Sequence, residues 1–178
     1  MRSSRVRLLG ICGALAVAGG VAACDSNDDV VTGPAARPTK FVANMSAANE
    51  NVATPITTGA NGTGTFTVVD DTTMSWSLTG SNITGVRLAH IHIGSSEVNG
   101  GILVDLVNNT TPTGPLNNEL IGQGQFHSSN IKVVATGRTT PITLDSLRRL
   151  MEVGVVYANV HTSANGGGEM RGQIRPAQ

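Results

Sequence analysis

The chain has 178 residues, 12 basic and 12 acidic side chains, a formal net charge of zero and only 3% aromatic residues. This balance excludes the strongly basic surface by which most proteins bind nucleic acid, so no nucleic-acid partner is expected. The 22 glycines and the charged fraction of 13% are typical of short strands joined by turns, and they argue against a helical bundle or a disordered acidic tail.

Residues 1–23 have the pattern of a signal peptide. Three arginines precede the apolar run "LLGICGALAVAGGVA", which is shorter than the roughly 20 apolar residues that a membrane-spanning helix needs. The run ends in "VAAC", which resembles a bacterial lipobox. The resemblance implies cleavage before Cys24, lipidation of Cys24 and loss of Cys12 with the signal. The alternative is an ordinary secretory signal followed by an incidental cysteine.

Residues 24–40 are expected to be a flexible tether between the lipidated Cys24 and the folded domain. The segment "DSNDDVVTGPAARPTK" is polar and carries one glycine and two prolines, a composition typical of linkers. Several acyl chains would give stable membrane anchoring. We therefore expect a bacterial envelope protein that is extracytoplasmic and contacts the membrane through its lipid. Loss of the three signal arginines would leave it mildly acidic.

From residue 41 to residue 176 the pattern changes to strands. In "GTFTVVDDTTMSWSLTG", two alternating segments flank an Asp-Asp-Thr turn, which predicts a hairpin. "GVRLAHIHIG" predicts the next strand, and the nearly continuous apolar run in "GGILVDLVNN" predicts a strand covered on both faces. "GQGQFHSSNIKVVATG" is a weaker strand segment and contains His127, which we interpret as a solvated residue.

One helix is expected before the last two strands. In "TLDSLRRLMEVG", Thr143 can cap the helix, leucines and Met151 recur at helical spacing, and Gly154 can end it. "VVYANVHT" and "EMRGQIRP" then predict two strands joined by the glycine-rich "SANGGG". Many short strands and one helix predict an all-β fold, an antiparallel β-sandwich.

Strand parity places the histidines on one face. His90 and His92 are two residues apart, so both point away from Ala89 and Ile91, which suit the core. In the same way His161 points away from Val160. If the two strands are neighbours, the three histidines can form one patch. The alternation adds three polar residues to this patch: Asn159, Glu169 and Arg171.

The motifs "AHIH" and "NVHTSANGGGEMRGQI", in this order and at domain scale, resemble the CHRD family, named for chordin. The resemblance spans about residues 41–175 and implies an immunoglobulin-like β-sandwich. Where family members often have proline, this chain has Gly167. The family's biochemical role is poorly defined, so the resemblance implies more about architecture than about activity.

Several functions remain open. The leading one is a non-enzymatic binding or structural module of the cell envelope, with a protein or glycan partner. The second is a metalloprotein that binds copper or zinc through His90, His92 and His161. The His-x-His strand is also similar to the copper-binding strand of Cu/Zn superoxide dismutases, which would add redox chemistry, but the rest of that pattern is missing.

The histidines also allow two other interpretations. They could form a hydrogen-bonded polar network that joins neighbouring strands, with Glu169 paired to Arg171 or to a histidine. A hydrolase with His92 or His161 as general base would need a nucleophile within hydrogen-bond reach. The sequence does not supply one on a recognisable turn, so enzymatic activity is not expected.

Overall fold

A computed structural model of the chain describes residues 36–133 and 140–178. The signal peptide, Cys24 and most of the tether predicted above therefore lie outside the described residues, and the residues from 36 onward belong to one compact unit. Within the described ranges no helix has both the length and the apolar character needed to cross a bilayer.

Across these ranges the chain forms eight β-strands and one α-helix. The strands are β1 (Lys40–Ser46), β2 (Asn61–Val68), β3 (Thr73–Ile83), β4 (Val86–Ile93), β5 (Ile102–Asn108), β6 (Leu116–His127), β7 (Val156–Thr162) and β8 (Met170–Pro176), and the helix is α1 (Leu144–Glu152). Short 3-10 turns follow β1 at Ala47–Asn49 and β6 at Ser128–Asn130.

All the strand pairs are antiparallel, and they join into one sheet with the order β5-β4-β7-β8-β1-β2-β3-β6. The sheet curls so that its two edge strands approach each other. The backbone N–H of Lys132, just after β6, donates to the carbonyl of Leu103 on β5 at 2.7 Å. The result is a nearly closed sandwich, which confirms the predicted all-β fold with one short helix before the last two strands.

The core lies inside this curled sheet and follows strand alternation. On β1, Phe41, Ala43 and Met45 are buried, and Phe41 is paired with Phe66 on β2. The predicted β2–β3 hairpin is confirmed, since Phe66 is paired with Trp76 across the turn. Residues paired across antiparallel strands share a face, so these aromatic side chains all point toward the core.

The helix α1 forms as its sequence predicts. The Thr143 side chain accepts a hydrogen bond from the backbone N–H of Ser146 at 3.1 Å and so caps the first turn. Leu144, Leu147 and Met151 are buried on the core side. Gly154 follows the helix with φ of +69°, a left-handed conformation that suits glycine.

The prediction that β5 is covered on both faces is wrong. Leu103, Val104 and Val107 are buried, but Asp105 and Asn108 are exposed. The strand is an edge of the sheet, and two register irregularities interrupt its pairing with β4. Because of these shifts, the apolar residues that face the core are not spaced two apart along the strand. A continuous apolar run in the sequence does not show where such shifts occur.

A close approach at the β1–β8 junction gives the first testable prediction. A Cβ at Gly172 would lie 2.2 Å from the carbonyl oxygen of Asn44, whereas a Cβ at Gly114 would meet nothing within 4 Å. Gly172→Ala should lower the free energy of unfolding by about 1–3 kcal/mol because backbone has to move. Urea denaturation measures this, with Gly114→Ala as the control. Equal stability of the two variants would contradict the close approach.

Candidate metal centre

The three predicted histidines lie together on the outer face of β4 and β7. The register pairs His90 with Asn159, His92 with Tyr157, and Leu88 with His161. Ala89 and Ile91 on the opposite face are fully buried in the core, as parity predicts. The strands β4 and β7 are therefore neighbours, as a common histidine patch requires. One ring nitrogen from each histidine lies within 4.8 Å of the other two.

The rings are buried although they lie outside the main core. The exposed fractions of His90, His92 and His161 are 6%, 9% and 9%. Their cover comes from the loop that follows β4 and from the hairpin between β7 and β8. His92 Nδ1 lies 3.0 Å from the carbonyl oxygen of Gly100, and His161 Nδ1 lies 3.0 Å from that of Gly166.

These two carbonyl contacts fix the tautomers of two rings. A carbonyl oxygen only accepts hydrogen bonds, so Nδ1 of His92 and of His161 must carry the proton. In each neutral ring, Nε2 then carries a lone pair. Among the described residues the buried Nε2 of His92 has no hydrogen-bond partner, so its lone pair is unused. Holding the remote nitrogen in this way is how proteins orient metal-binding histidines.

The His90 ring can donate a hydrogen bond from Nδ1 in the metal-free cluster, or it can bind an ion through the same nitrogen. Its Nδ1 lies 3.1 Å from His161 Nε2, and because that Nε2 is an acceptor, the proton in the metal-free state lies on His90 Nδ1. On the other side of the ring, Nε2 lies 3.7 Å from Asp105 Oδ1. Moving the proton to Nε2 points it toward this carboxylate and frees Nδ1 as a third donor atom.

The spacing is compatible with a metal ion. Two imidazole nitrogens that bind one ion at 2.0–2.1 Å are about 3.3–3.6 Å apart. The 3.1 Å between His90 Nδ1 and His161 Nε2 is close to this value. One nitrogen from each ring lies within 4.8 Å of the other two, so a shift of about 1 Å in a side chain would bring three nitrogens to this spacing.

Electrostatics keep the rings neutral, which is the form that binds metal. Burial, followed by the neighbouring rings of His161 and His92, lowers the pKa of His90 to about 4. Burial is also the main cause that lowers the pKa of His92 and of His161. At neutral pH the cluster therefore holds three uncharged imidazoles, and binding of a metal need not displace a proton from it.

A stack of rings extends the site toward β8. The Tyr157 ring lies nearly parallel to His92, with a centroid distance of 5.0 Å and an angle of 7°. The Arg171 guanidinium carbon lies 3.6 Å from the centroid of the same Tyr157 ring, a cation–π contact. Strand alternation places Tyr157 on the same face as His161, but nothing in the sequence marks it as a site residue.

Arg171 also holds the loop that covers His92. It is only 1% exposed, and it donates to the Asn99 side chain and to the Ser95 carbonyl, each at 2.9 Å. The backbone N–H of Gly100 donates to the Tyr157 hydroxyl at 3.3 Å. The loop that supplies the carbonyl to His92 is thus held by β7 and β8.

The other two predicted polar residues have different partners. Asn159 Nδ2 donates to Glu50 Oε1 at 2.8 Å, and burial raises the pKa of Glu50 to about 7. A Cβ at Gly168 would lie 2.7 Å from the Asn159 side chain, so this close approach requires glycine. Sequence reasoning missed Glu50, which reaches the site from a loop 109 residues away.

Glu169 stabilises the hairpin between β7 and β8. Its hydrogen bonds are not to Arg171 or a histidine, as the polar-network hypothesis suggested. Its Oε2 accepts from Thr162 Oγ1 at 2.6 Å and from Asn165 Nδ2 at 3.1 Å. Both donors lie at the start of the loop that carries Gly166. Glu169 therefore acts on His161 through the loop backbone, while Arg171 acts on the other loop.

His127 lies apart from the cluster. It ends β6, is exposed, and its Nδ1 lies 3.0 Å from Thr73 Oγ1 on β3. The interpretation of this histidine as a solvated residue agrees with its position. It is a suitable control in experiments on the other three histidines.

The low pKa of His90 predicts a dependence of stability on pH. Because the unfolded ring binds a proton near pH 6.5 and the folded ring only near pH 4, the stability from the neutral ring is present above about pH 6.5 and is lost as the pH falls toward 4. The stability of the metal-free wild type relative to His90→Gln should therefore increase from pH 4 to pH 6.5. Urea denaturation with a chelator present measures it.

The comparison of two proteins makes this prediction specific to His90. Glu50 has a raised pKa, so its contribution falls as the pH rises through the same region, but it is present in both proteins and cancels in the difference. A difference between wild type and His90→Gln that does not vary with pH would contradict the prediction.

Comparison with known proteins agrees with the motifs. No curated protein matches the sequence. Among solved structures, the chain is similar to a mutant of superoxide dismutase 5 from Candida albicans, with 13% identity and a TM-score of 0.41, over 79% of this chain and 93% of that one. The family model of the CHRD domain matches residues 41–174. Because this match covers well over half of the chain, the protein belongs to the CHRD domain family.

Proposed function

We propose that this CHRD protein is a non-catalytic envelope module that binds one copper or zinc ion through His90, His92 and His161. The observation that carries the proposal is the arrangement of the ring protons. The Nδ1–H groups of His92 and His161 donate to two backbone carbonyls, and this leaves a lone pair on the Nε2 atom of each ring. A third donor, His90 Nδ1, lies 3.1 Å from one of them.

The chemistry of the donors supports copper or zinc. Imidazole nitrogen suits both ions, whereas calcium and magnesium prefer oxygen ligands. The rings are neutral at physiological pH because burial lowers their pKa values. Asp105, near His90 Nε2, can accept a hydrogen bond from the protonated Nε2 once Nδ1 binds a metal.

The surroundings favour binding over catalysis. A hydrolase with a histidine base needs a nucleophile within hydrogen-bond reach of that base. Within the described ranges, the hydrogen-bond partners of the three rings are the carbonyls of Gly100 and Gly166 and the rings themselves. Redox chemistry such as superoxide dismutation is not part of this proposal.

The location of the module rests on the sequence. The lipobox-like "VAAC" and the polar segment after it support an extracytoplasmic protein that is held to a bacterial membrane by lipid on Cys24. In that position the domain could receive metal from the envelope, or contact a protein or glycan there. The sequence alone supports this part of the proposal.

Metal titration tests the site directly. The full chain, with Cys12 and Cys24 replaced by serine so that thiols do not compete, is purified in detergent and titrated with Cu²⁺ and Zn²⁺ by calorimetry. We expect one equivalent of ion to bind. His90→Ala and His161→Ala should each weaken binding by more than the 10–100-fold that the loss of an orienting partner costs.

His127→Ala is the matched control and should bind as the parent does. If the parent protein binds neither Zn²⁺ nor copper, as Cu²⁺ or as Cu⁺ without oxygen, or if the His90 and His161 variants bind like the control, the metal proposal is wrong. The cluster would then be a structural network, and partner proteins or glycans of the envelope would be the function to pursue.

The anchor has its own test. Cys24→Ser should remove the lipid mass from the protein made in a bacterial host, because the thiol is the acceptor. Cys12→Ser should leave the lipid mass unchanged, since Cys12 lies in the removed segment. Mass spectrometry measures the lipid. Lipid retained by Cys24→Ser would contradict the assignment.

A further inference from the structure

We infer that the three-histidine cluster selects monovalent copper over divalent ions such as Zn²⁺. The inference rests on the proposed function and names the ion that the same site holds. Three features of the structure carry it: a donor set without negative charge, a buried cation that is separated from the His92 ring by the Tyr157 ring, and burial of the donors themselves.

The donors supply no negative charge. All three are imidazole nitrogens, and two of the rings are fixed as neutral tautomers by the Gly100 and Gly166 carbonyls. Asp105 lies 3.7 Å from His90 Nε2, but Lys132 Nζ lies 2.6 Å from its other oxygen. Much of the charge that this carboxylate could offer to a bound ion is therefore balanced by a lysine.

The other nearby carboxylates also have partners. Glu50 accepts a hydrogen bond from Asn159, and Glu169 accepts hydrogen bonds from Thr162 and Asn165. Neither carboxylate belongs to the group of three histidines that could bind the ion, so a divalent ion would receive no negative charge from its own ligands. A monovalent ion carries half the charge of a divalent ion into the same surroundings.

A permanent cation lies on the far end of the ring stack. Arg171 is 1% exposed, and its guanidinium carbon is 3.6 Å from the Tyr157 ring centroid, while Tyr157 stacks on His92. An arginine stays charged at any relevant pH. Its repulsion acts twice as strongly on a divalent ion as on a monovalent one, and burial reduces the screening by water.

Burial adds to the same preference. The three rings are 6–9% exposed, and the cost of moving an ion from water into a medium of low dielectric constant grows with the square of its charge, about fourfold between monovalent and divalent ions. A zinc ion held by three protein ligands also takes a water as its fourth ligand. Monovalent copper has a filled d shell and accepts three ligands in a plane, which is the number of donors that the cluster offers.

The test compares the two ions on the same protein. The full chain with Cys12→Ser and Cys24→Ser is titrated without oxygen with Cu⁺ against a chromophoric copper(I) chelator, and separately with Zn²⁺ against a fluorescent zinc indicator. We expect Cu⁺ to bind at least about 100-fold more tightly than Zn²⁺. His127→Ala should behave like the parent, and His161→Ala should lose the binding of Cu⁺.

The outcomes separate the two proposals. Zn²⁺ binding as tight as Cu⁺ binding, lost in His161→Ala, would overturn the inference and leave the metal site in place. Binding of neither ion would overturn the proposed function itself. Cu⁺ binding that persists in His161→Ala would place the ion elsewhere on the chain and would overturn both.

A pair of variants tests the role of Arg171. Arg171→Lys and Arg171→Met both lose the hydrogen bonds of the guanidinium, but only the methionine variant loses the charge. The ratio of Cu⁺ affinity to Zn²⁺ affinity should be kept in Arg171→Lys and should fall about tenfold in Arg171→Met. The same ratio in both variants would overturn the contribution of the buried cation, and circular dichroism checks that both are folded.

Discussion

The register of β4 against β7 is the constraint on which the candidate site depends. It places Ala89 and Ile91 in the core and turns His90 and His92 to the other face, next to the strand that carries His161. A slip of one residue would exchange these faces and bury the imidazoles among apolar side chains. Packing of the small and branched residues in the core therefore fixes which way the histidines point. The contacts that stabilise the fold thus also position the site.

Two loops convert this face into a buried centre. Each contributes one carbonyl to a histidine Nδ1, and each is held by residues of β7 and β8 or the turn beside them. Arg171 fixes the loop before Gly100, and Glu169 fixes the one that carries Gly166. Each loop follows the strand that carries its histidine, since Gly100 is 8 residues from His92 and Gly166 is 5 residues from His161. The tautomers of these two rings are thus set by nearby backbone, and one of the two loops is held by Arg171, which is 76 residues from Ser95.

The sequence predicted the parts of this structure that depend on local alternation. The β2–β3 hairpin, the capped helix at Thr143 and the common face of the three histidines all follow from spacing within one or two elements. The burial of the rings does not, because it needs loops such as that of Gly100. Glu50 was missed for the same reason. The edge position of β5 was also hidden, since an apolar run does not show where pairing stops or shifts.

The hydrogen bonds themselves distinguish a structural network from a metal site. A buried network made for stability alone is expected to satisfy its members, since an unsatisfied buried polar atom costs about 1–3 kcal/mol. Here the Nδ1–H of His92 donates to the carbonyl of Gly100, and its buried Nε2 has no hydrogen-bond partner in the described part of the chain. The centroid of the His92 ring lies 5.4 Å from that of His90 and 6.0 Å from that of His161. A bound cation would satisfy the lone pair of that Nε2 and would also replace the hydrogen bond between His90 and His161, so the unsatisfied atom is better explained by a ligand than by architecture.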